Sequence, residues 1–423
     1  ALMRSRRFAP LFWTQFLSAL SDNFVKNALV MLILFQIGGQ TGATLVTLAG
    51  GVLMLPFFVL SGLGGELADR YDKAFIARRL KLAEIPIAGI AALGFVLHSV
   101  PLLFVALAAF GVVGALFGPI KYGILPVHLE TRELPAGNAL VEGATFLAIL
   151  AGTIAGGLAI GNGVAGWPIA AAVMTLSILC WGASQFIPQT GEAAPHLVIN
   201  KNPLASTLQL LRELKSDRQI WIGGLITSWF WLVGAVALSL LPPLMKDTVG
   251  GNQSVITLGL LVFTIGIAIG SALAARASKN RPNLAVVPLA ALLMAIAASD
   301  IGLTVMGIET AVPAIGALDF LASTTGVRLS LDLLGLAIGG GLFIVPAFAA
   351  VQAWAPADRR ARTVAGVNVL NAAFMTVAAI LVAALQAMGL GLAPLFHGLG
   401  IASLIVMVLI MYAWGSEGLQ DLG

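Results

Sequence analysis

Continuous apolar runs recur along almost the whole 423-residue chain, each roughly 20 residues long, the length that a helix needs to cross a bilayer. They do not alternate apolar and polar residues as the strands of a membrane barrel do. In lipid, only helices and closed barrels satisfy every backbone N–H and C=O. The runs therefore predict an all-α membrane protein. Composition agrees, because 59% of the residues are hydrophobic and only 10% are charged, against about 25% charged in soluble domains. So few charges cannot cover a water-facing surface.

Twelve transmembrane helices are expected, at about 10–37, 43–64, 82–99, 102–122, 138–160, 167–187, 219–244, 254–275, 284–306, 332–354, 364–386 and 393–414. An even number puts both termini on one side. Of the 23 lysines and arginines, all but Lys26, Lys246 and Arg328 then fall on that side, in the N-terminal arm or in alternate loops. Lys81 is counted here as a charge of the loop between spans 2 and 3. The positive-inside rule makes that side cytoplasmic. The net charge of +4 thus follows membrane sidedness and does not signal nucleic-acid binding. The apolar run after Arg4, Arg6 and Arg7 is too long for a cleavable signal peptide.

The polar segment 188–218 carries Pro188, Pro195 and Pro203 and ends in the helix-like TLQLLRELKSDR. It is expected to divide the chain into an N-terminal six-helix half, 1–187, and a C-terminal six-helix half, 219–423. The halves read as weak repeats. GELADRYDK after span 2 corresponds to SALAARASK after span 8, and ILPVHLETRELPAGNALVEGATF before span 5 corresponds to IVPAFAAVQAWAPADRRARTVAGVNVLNAAF before span 11. Parallel six-helix repeats are one way to build a transporter with a site between its halves near mid-membrane.

Polar residues inside the spans are the candidate site. A charge at the centre of a membrane helix costs about 2.5–3.5 kcal/mol on insertion scales and normally faces the bundle interior. In span 1, Asp22 and Lys26 stand at i,i+4 on one face, with Gln15 and Ser18 continuing the stripe and Asn23 and Asn27 beside it. The pair can neutralise itself as a structural ion pair, or line a transport path. In span 5, Asn138, Glu142 and Thr145 share a face, and in span 11 Asn368 and Asn371 do; interhelical hydrogen bonding and substrate contact both stand open for the amides. Glu142 can pair with Lys121 or Lys26, or carry a proton. Trp229 and Trp231 in span 7 suit packing, interface anchoring or contact with an acyl chain. Asp300 lies on a helix expected to be peripheral. The GxxxG spacings Gly152/Gly156, Gly266/Gly270 and Gly335/Gly339 permit close helix approach. Cys180, the single cysteine, reads as a small buried hydrophobe. No phosphate-binding loop, metal-ligand spacing or nucleophile elbow is present, so no cofactor and no enzyme activity is expected of the chain.

GELADRYDK, Gly65 to Lys73, resembles the cytoplasmic loop motif of the major facilitator superfamily at Gly65, Leu67, Asp69, Arg70 and Lys73, with Asp72 where glycine is usual. An aspartate there can accept hydrogen bonds from helix N-termini or pair with an arginine. The gate is therefore placed at Asp69, Arg70, Arg359 and Arg362; a solvated loop, and for the arginines anionic lipid binding, remain the other readings. WTQFLSALSDNFVKNALV resembles the first helix of the lysophospholipid transporter family within that superfamily. GPIKYGILPVHL (118–129), NALVEGATFLAILAGTIAGG (138–157), SWFWLVGA (228–235) and NVLNAAFM (368–375) resemble further blocks of it.

That resemblance implies movement of lysophospholipids such as lysophosphatidylethanolamine from the outer to the inner leaflet of the bacterial inner membrane, by alternating access. It also implies head-group contacts at Asp22, Asn23 and Lys121. Some family members carry an arginine in span 7, whereas VGAVALSLLPP has none; Lys26 or Lys121 stands in as the phosphate partner. The substrate-binding set is thus Asp22, Asn23, Lys26, Lys121, Asn138, Glu142, Trp229, Trp231, Asn368 and Asn371. The expected partners are the lysophospholipid, membrane lipids and a fused or separate acyltransferase or acyl-carrier-protein synthetase, with the chain a monomer. A start at Ala1 without an initiator Met fits a piece of a longer fused protein. Two other functions stay open: a proton-driven exporter of amphiphilic drugs, and a membrane anchor for a lipid-acylating enzyme.

Overall fold

A computed structural model of the chain describes residues 2–36, 39–161, 166–278, 284–308 and 314–415. Lys279 and Arg281 of the basic loop residues, and the C-terminal SEGLQDLG, lie outside them. The described residues form fourteen α-helices: α1 Ala9–Gln36, α2 Gly39–Arg70, α3 Lys73–Val96, α4 Val100–His128, α5 Leu134–Gly161, α6 Gly166–Ser184, α7 Pro203–Ser216, α8 Arg218–Pro243, α9 Gln253–Ala277, α10 Val286–Met306, α11 Ala317–Ala322, α12 Thr324–Trp354, α13 Arg360–Ala387 and α14 Leu392–Gly415. Among the described residues the extended pairing is one isolated bridge, Gly251 with Ile315.

Eleven of these helices are long and apolar enough to cross a membrane: α1, α2, α4, α5, α6, α8, α9, α10, α12, α13 and α14. The twelfth expected span is α3. It begins at Lys73 rather than near 82, because Asp72 caps it by accepting a hydrogen bond from the Phe75 N–H at 2.8 Å. The early start draws Arg78, Arg79, Lys81 and Glu84 into its first half. Lys81 is therefore no loop charge: it is fully buried.

The chain folds into two compact units. The first contains Ala1–Glu130, Ala144–Trp221 and Val351–Ala372; the second contains Thr131–Gly143, Ile222–Ala350 and Ala373–Gly423. In the first unit α1 packs on α2, α4 and α6, α3 packs on α4 and α6, and α2 packs on α4 and α7. Its aliphatic and aromatic core includes Phe24, Val25, Leu29, Phe95, Leu107, Phe110 and Val173. In the second unit α10 packs on α14.

The spaced glycines sit where backbones meet. A Cβ on Gly156 would lie 2.6 Å from the Phe24 carbonyl oxygen and 3.0 Å from the Ala28 nitrogen, and one on Gly152 would lie 2.8 Å from the Leu20 carbonyl. Helix α5 thus lies against the backbone of α1 beside its polar stripe. In the second unit Gly266 faces Leu334 and Ala337 of α12, and Gly339 faces Ala290 and Met294 of α10. Close approach of this kind lets helices associate in lipid, where apolar surface alone gives no preference for protein over hydrocarbon.

The segment after α6 is pinned to the first unit. Asp72 Oδ2 accepts from the backbone N–H of Thr190 at 2.6 Å and of Gly191 at 2.8 Å. The Asp69 carbonyl accepts from Ala193 and Ala194, and Glu66 accepts from the Asn200 N–H at 2.9 Å and the Ser206 hydroxyl at 2.6 Å. Helix α7 starts with Asn202 as its cap, bonded to the Leu204 and Ala205 N–H groups, and buries Ser206, Thr207, Leu210 and Leu214.

Candidate functional site

The polar stripe of α1 lies within the first unit. Asp22, Asn23, Lys26 and Asn27 are half-buried, and Gln15 and Ser18 are buried. The Lys26 ammonium donates to the Asn23 carboxamide oxygen at 3.4 Å, and Asn27 donates to the Thr153 hydroxyl of α5 at 3.1 Å. Gln15 accepts from the Thr145 hydroxyl at 3.1 Å. The amides are thereby committed in part to joining α1 and α5, while Asp22 lies within electrostatic reach of four charges: Glu84, Lys81, Lys121 and Lys26.

Two of those charges come from α3. Lys81 forms an ion pair with Glu84 one turn on, donates to the Ser18 hydroxyl at 2.7 Å and lies 4.0 Å above the Phe117 ring of α4. Both partners are buried. Their i,i+3 spacing was the available signal, since it sets opposite charges on one helix face; counting Lys81 as a loop charge hid it. On α6, the buried Cys180 thiol donates to the Thr14 carbonyl at 3.3 Å, one turn before Ser18.

Helix α4 supplies Lys121, half-buried, with its ammonium 4.6 Å from the Tyr122 ring centre. Asn368 of α13 reaches the same helix, its amide nitrogen 3.0 Å from where a Cβ on Gly118 would stand. Asn371, a turn further along α13, is buried. The structure thus brings Asp22, Asn23, Lys26, Lys121, Asn368 and Asn371 into one unit. Asn138, Glu142, Trp229 and Trp231 belong to the other. There Asn138 is buried and donates to the Leu134 carbonyl at 2.9 Å, and Glu142 is buried. Trp231 packs edge-on against Phe230 at 5.4 Å. Asp300 is bound through both oxygens by Arg328, at 2.5 and 2.9 Å.

A second polar site lies where α2 ends. The buried Asp69 carboxylate accepts from the backbone N–H of Ala361 and of Arg362, each at 3.0 Å, and from Arg362 Nε at 3.2 Å. It caps the N-terminus of α13, where unpaired N–H groups and the helix dipole favour an anion. Arg362 also reaches Glu213 of α7 at 3.8 Å. Arg70 lies over the Tyr71 ring at 5.3 Å, and the Arg359 carbonyl accepts from the Thr363 hydroxyl. Gly65 is required here, because a Cβ would come within 2.8 Å of the Arg362 Cα. Burial pushes the neighbouring Asp72 carboxyl up, but the Phe75, Thr190 and Gly191 N–H groups and the Thr190 hydroxyl hold it below the usual carboxylate range.

The model of the Major Facilitator Superfamily matches residues 11–334. The chain belongs to this superfamily. Among curated relatives, this major facilitator protein is 27% identical over 358 residues to "Lysophospholipid transporter LplT" of Serratia proteamaculans, covering 82% of the chain and 80% of the relative. It is 25% identical over 430 residues to the protein of the same name from Klebsiella pneumoniae, covering 97% and 96%. Among solved structures it resembles the human organic anion transporter MFSD10, with a TM-score of 0.73 at 16% identity over 95% of this chain and 99% of that one. It also resembles a bacterial homologue of the iron transporter ferroportin in its outward-facing state, with a TM-score of 0.69 at 16% identity, covering 96% and 99%. At such identities these two establish the major facilitator fold and nothing finer.

Proposed function

We propose that the protein is a secondary transporter that moves lysophospholipids, such as lysophosphatidylethanolamine, from the outer to the inner leaflet of the bacterial inner membrane. The observation that carries this reading is the mixed-charge cluster of the first unit, in which Asp22 stands among Lys26, Lys81, Lys121 and Glu84 inside helices that are otherwise mostly apolar. A sugar or nucleotide needs many polar partners. A small zwitterionic head with one apolar tail needs a carboxylate, an ammonium and a few amides. The names of the relatives support the same substrate class.

In this mechanism the substrate enters sideways between helices, because carrying its tail through water would cost about 0.8 kcal/mol per CH₂. The head-group amine pairs with Asp22, and the phosphate pairs with Lys26 and Lys121. Asn23, Asn368 and Asn371 complete the polar path of the first unit; in the second unit Asn138 and Glu142 are the polar groups proposed to serve the substrate, and Trp229 and Trp231 the apolar ones. The halves 1–187 and 219–423 rock about the site, with segment 188–218 joining them on the cytoplasmic side along with both termini. Asp69, Arg70, Arg359 and Arg362 form the gate: release of Asp69 from α13 opens it, and an acyltransferase consumes the delivered lysolipid.

The test is leaflet-to-leaflet movement of a labelled lysophospholipid by the purified chain in liposomes, with and without a proton gradient. Asp22→Asn is expected to slow movement roughly tenfold or more, since it removes a charged hydrogen-bonding partner. Unchanged movement in this variant rejects the role of Asp22. Drug efflux without any lysolipid movement by the unaltered chain replaces the whole reading with an exporter.

A further inference from the structure

Helix α7 lies across α2 near its end, with one face bound and another bare. The Thr207 hydroxyl donates to the Val59 carbonyl at 3.3 Å and accepts from the Gly62 N–H at 3.4 Å, and a Cβ on Gly62 would stand 2.7 Å from the Thr207 nitrogen. On the same side, Leu210 and Leu214 pack over Gly366 of α13. These contacts fix the height of α7. Val59 and Gly62 lie just inside the end of the apolar run expected at 43–64, and the charged Glu66, Asp69 and Arg70 follow. With a rise of about 1.5 Å per residue, α7 is level with the point where α2 leaves hydrocarbon for head groups.

The bare face has a definite composition. At about 100° per residue, Leu204, Leu208, Arg212 and Lys215 fall within about 80° of one another. They stand roughly opposite Ser206, Thr207, Leu210 and Leu214, which are buried. All four are exposed, Leu204 by 55% and Leu208 by 57%. Val198 and Lys201, in the segment leading into the helix, are exposed as well. The acidic groups nearby are engaged elsewhere. Glu213 pairs with Arg362 at 3.8 Å and accepts from the Gln209 amide at 2.9 Å, Asp217 accepts from the Ile220 N–H at 3.2 Å, and Glu66 accepts from Asn200 and Ser206. Membrane sidedness accounts for the basic residues but not for leucines standing among them. Exposed leucines flanked by lysine and arginine, at this height, are what a helix lying in the plane of a membrane interface requires.

We propose that this face of α7 docks on the anionic phospholipids of the leaflet at the Arg70 end of α2. Leu204 and Leu208 enter the boundary between head groups and acyl chains, and Lys201, Arg212 and Lys215 meet the phosphates. The proposed orientation makes this the cytoplasmic leaflet. The docked lipids are part of the surrounding membrane, so the inference needs no transported substrate and goes beyond the lysolipid reading.

The test is the accessibility of a nitroxide label at Leu208→Cys, in the full chain carrying Cys180→Ser. It is measured in vesicles of phosphatidylcholine with phosphatidylglycerol and in vesicles of phosphatidylcholine alone. In the mixed vesicles the label is expected to collide more with oxygen, which concentrates in lipid, than with a water-soluble nickel complex. A label at Gln209→Cys, which lines the polar cavity of about 510 Å³ between α7 and α2, is expected to favour the nickel complex. Omitting phosphatidylglycerol, or replacing Lys201, Arg212 and Lys215 with glutamine, is expected to lower the oxygen preference at 208 severalfold, since each basic side chain adds attraction to an anionic surface. A label at 208 that sits in water in the mixed vesicles overturns the inference. One shielded from both reagents shows a face covered by protein and overturns it as well. Equal lipid exposure in both kinds of vesicle overturns the anionic partner, and the same reading at 208 and 209 overturns docking by one face. Lysolipid movement is followed in the same vesicles; its absence beside a lipid-embedded label at 208 supports the docking and sinks the transport reading alone.

Discussion

Asp72 illustrates how a departure from a motif can have a local cause. The superfamily loop usually places glycine there; here the side chain caps α3 through the Phe75 N–H and holds the segment after α6 through Thr190 and Gly191. With its carboxyl below the usual range, the sign of its pH effect is fixed. The stabilisation is complete above the unfolded pKa near 3.9 and is lost as the pH falls through the lower folded value. Pepsin cleavage within 188–202 is therefore expected to rise only well below pH 4, and in Asp72→Asn to lose most of this pH dependence. At this scale the sequence was partly legible. Asp22 and Lys26 are identifiable because charge inside an apolar run needs an explanation. The Lys81–Glu84 pair escaped because α3 begins at its charged edge, so Lys81 read as a loop charge while Glu84 fell just inside the expected span. The amides of Asn23, Asn27 and Asn138 offered no way to tell structural from substrate-directed hydrogen bonds, and the structure gives each a protein partner.

Among the elements, α5 and α1 show why small residues recur beside the polar stripe. Gly156 brings α5 against the backbone of α1 between Phe24 and Ala28, whereas a Cβ on the adjacent Gly157 meets nothing within 4 Å. Gly156→Ala is expected to lower stability by about 1–3 kcal/mol, the usual cost of overpacking, and Gly157→Ala to change it little. Thermal unfolding of the two variants in detergent checks this difference. Eleven helices were legible from apolar length alone, because lipid leaves the backbone so few solutions. The boundary of α3 was not, since it is decided by a side-chain cap and by burial against α1, α4 and α6 rather than by hydropathy.

For the whole molecule, the twelve-helix reading survives because α3 belongs to the packed first unit despite its charges. Its two units interleave in sequence, so that α5 and α13 each contribute to both, and hydropathy carries no trace of such a division. Asp69 and Arg362, 293 residues apart, meet through a motif short enough to recognise but with a partner that only folding selects.

The burial of Lys81 and Glu84 also bears on how the chain enters the bilayer during synthesis. Each charge penalises insertion of an isolated segment by about 2.5–3.5 kcal/mol near the helix centre, and the hydroxyl that receives Lys81 lies on α1. Residues 73–99 fused alone between glycosylation reporters are expected to stay largely outside the membrane, and to insert within 1–130 or when both charges are neutralised. Efficient insertion of the isolated segment with its charges intact would contradict this. The translocon must then keep the first helix close until the third emerges, so the polar residues attributed to transport also set an order of assembly.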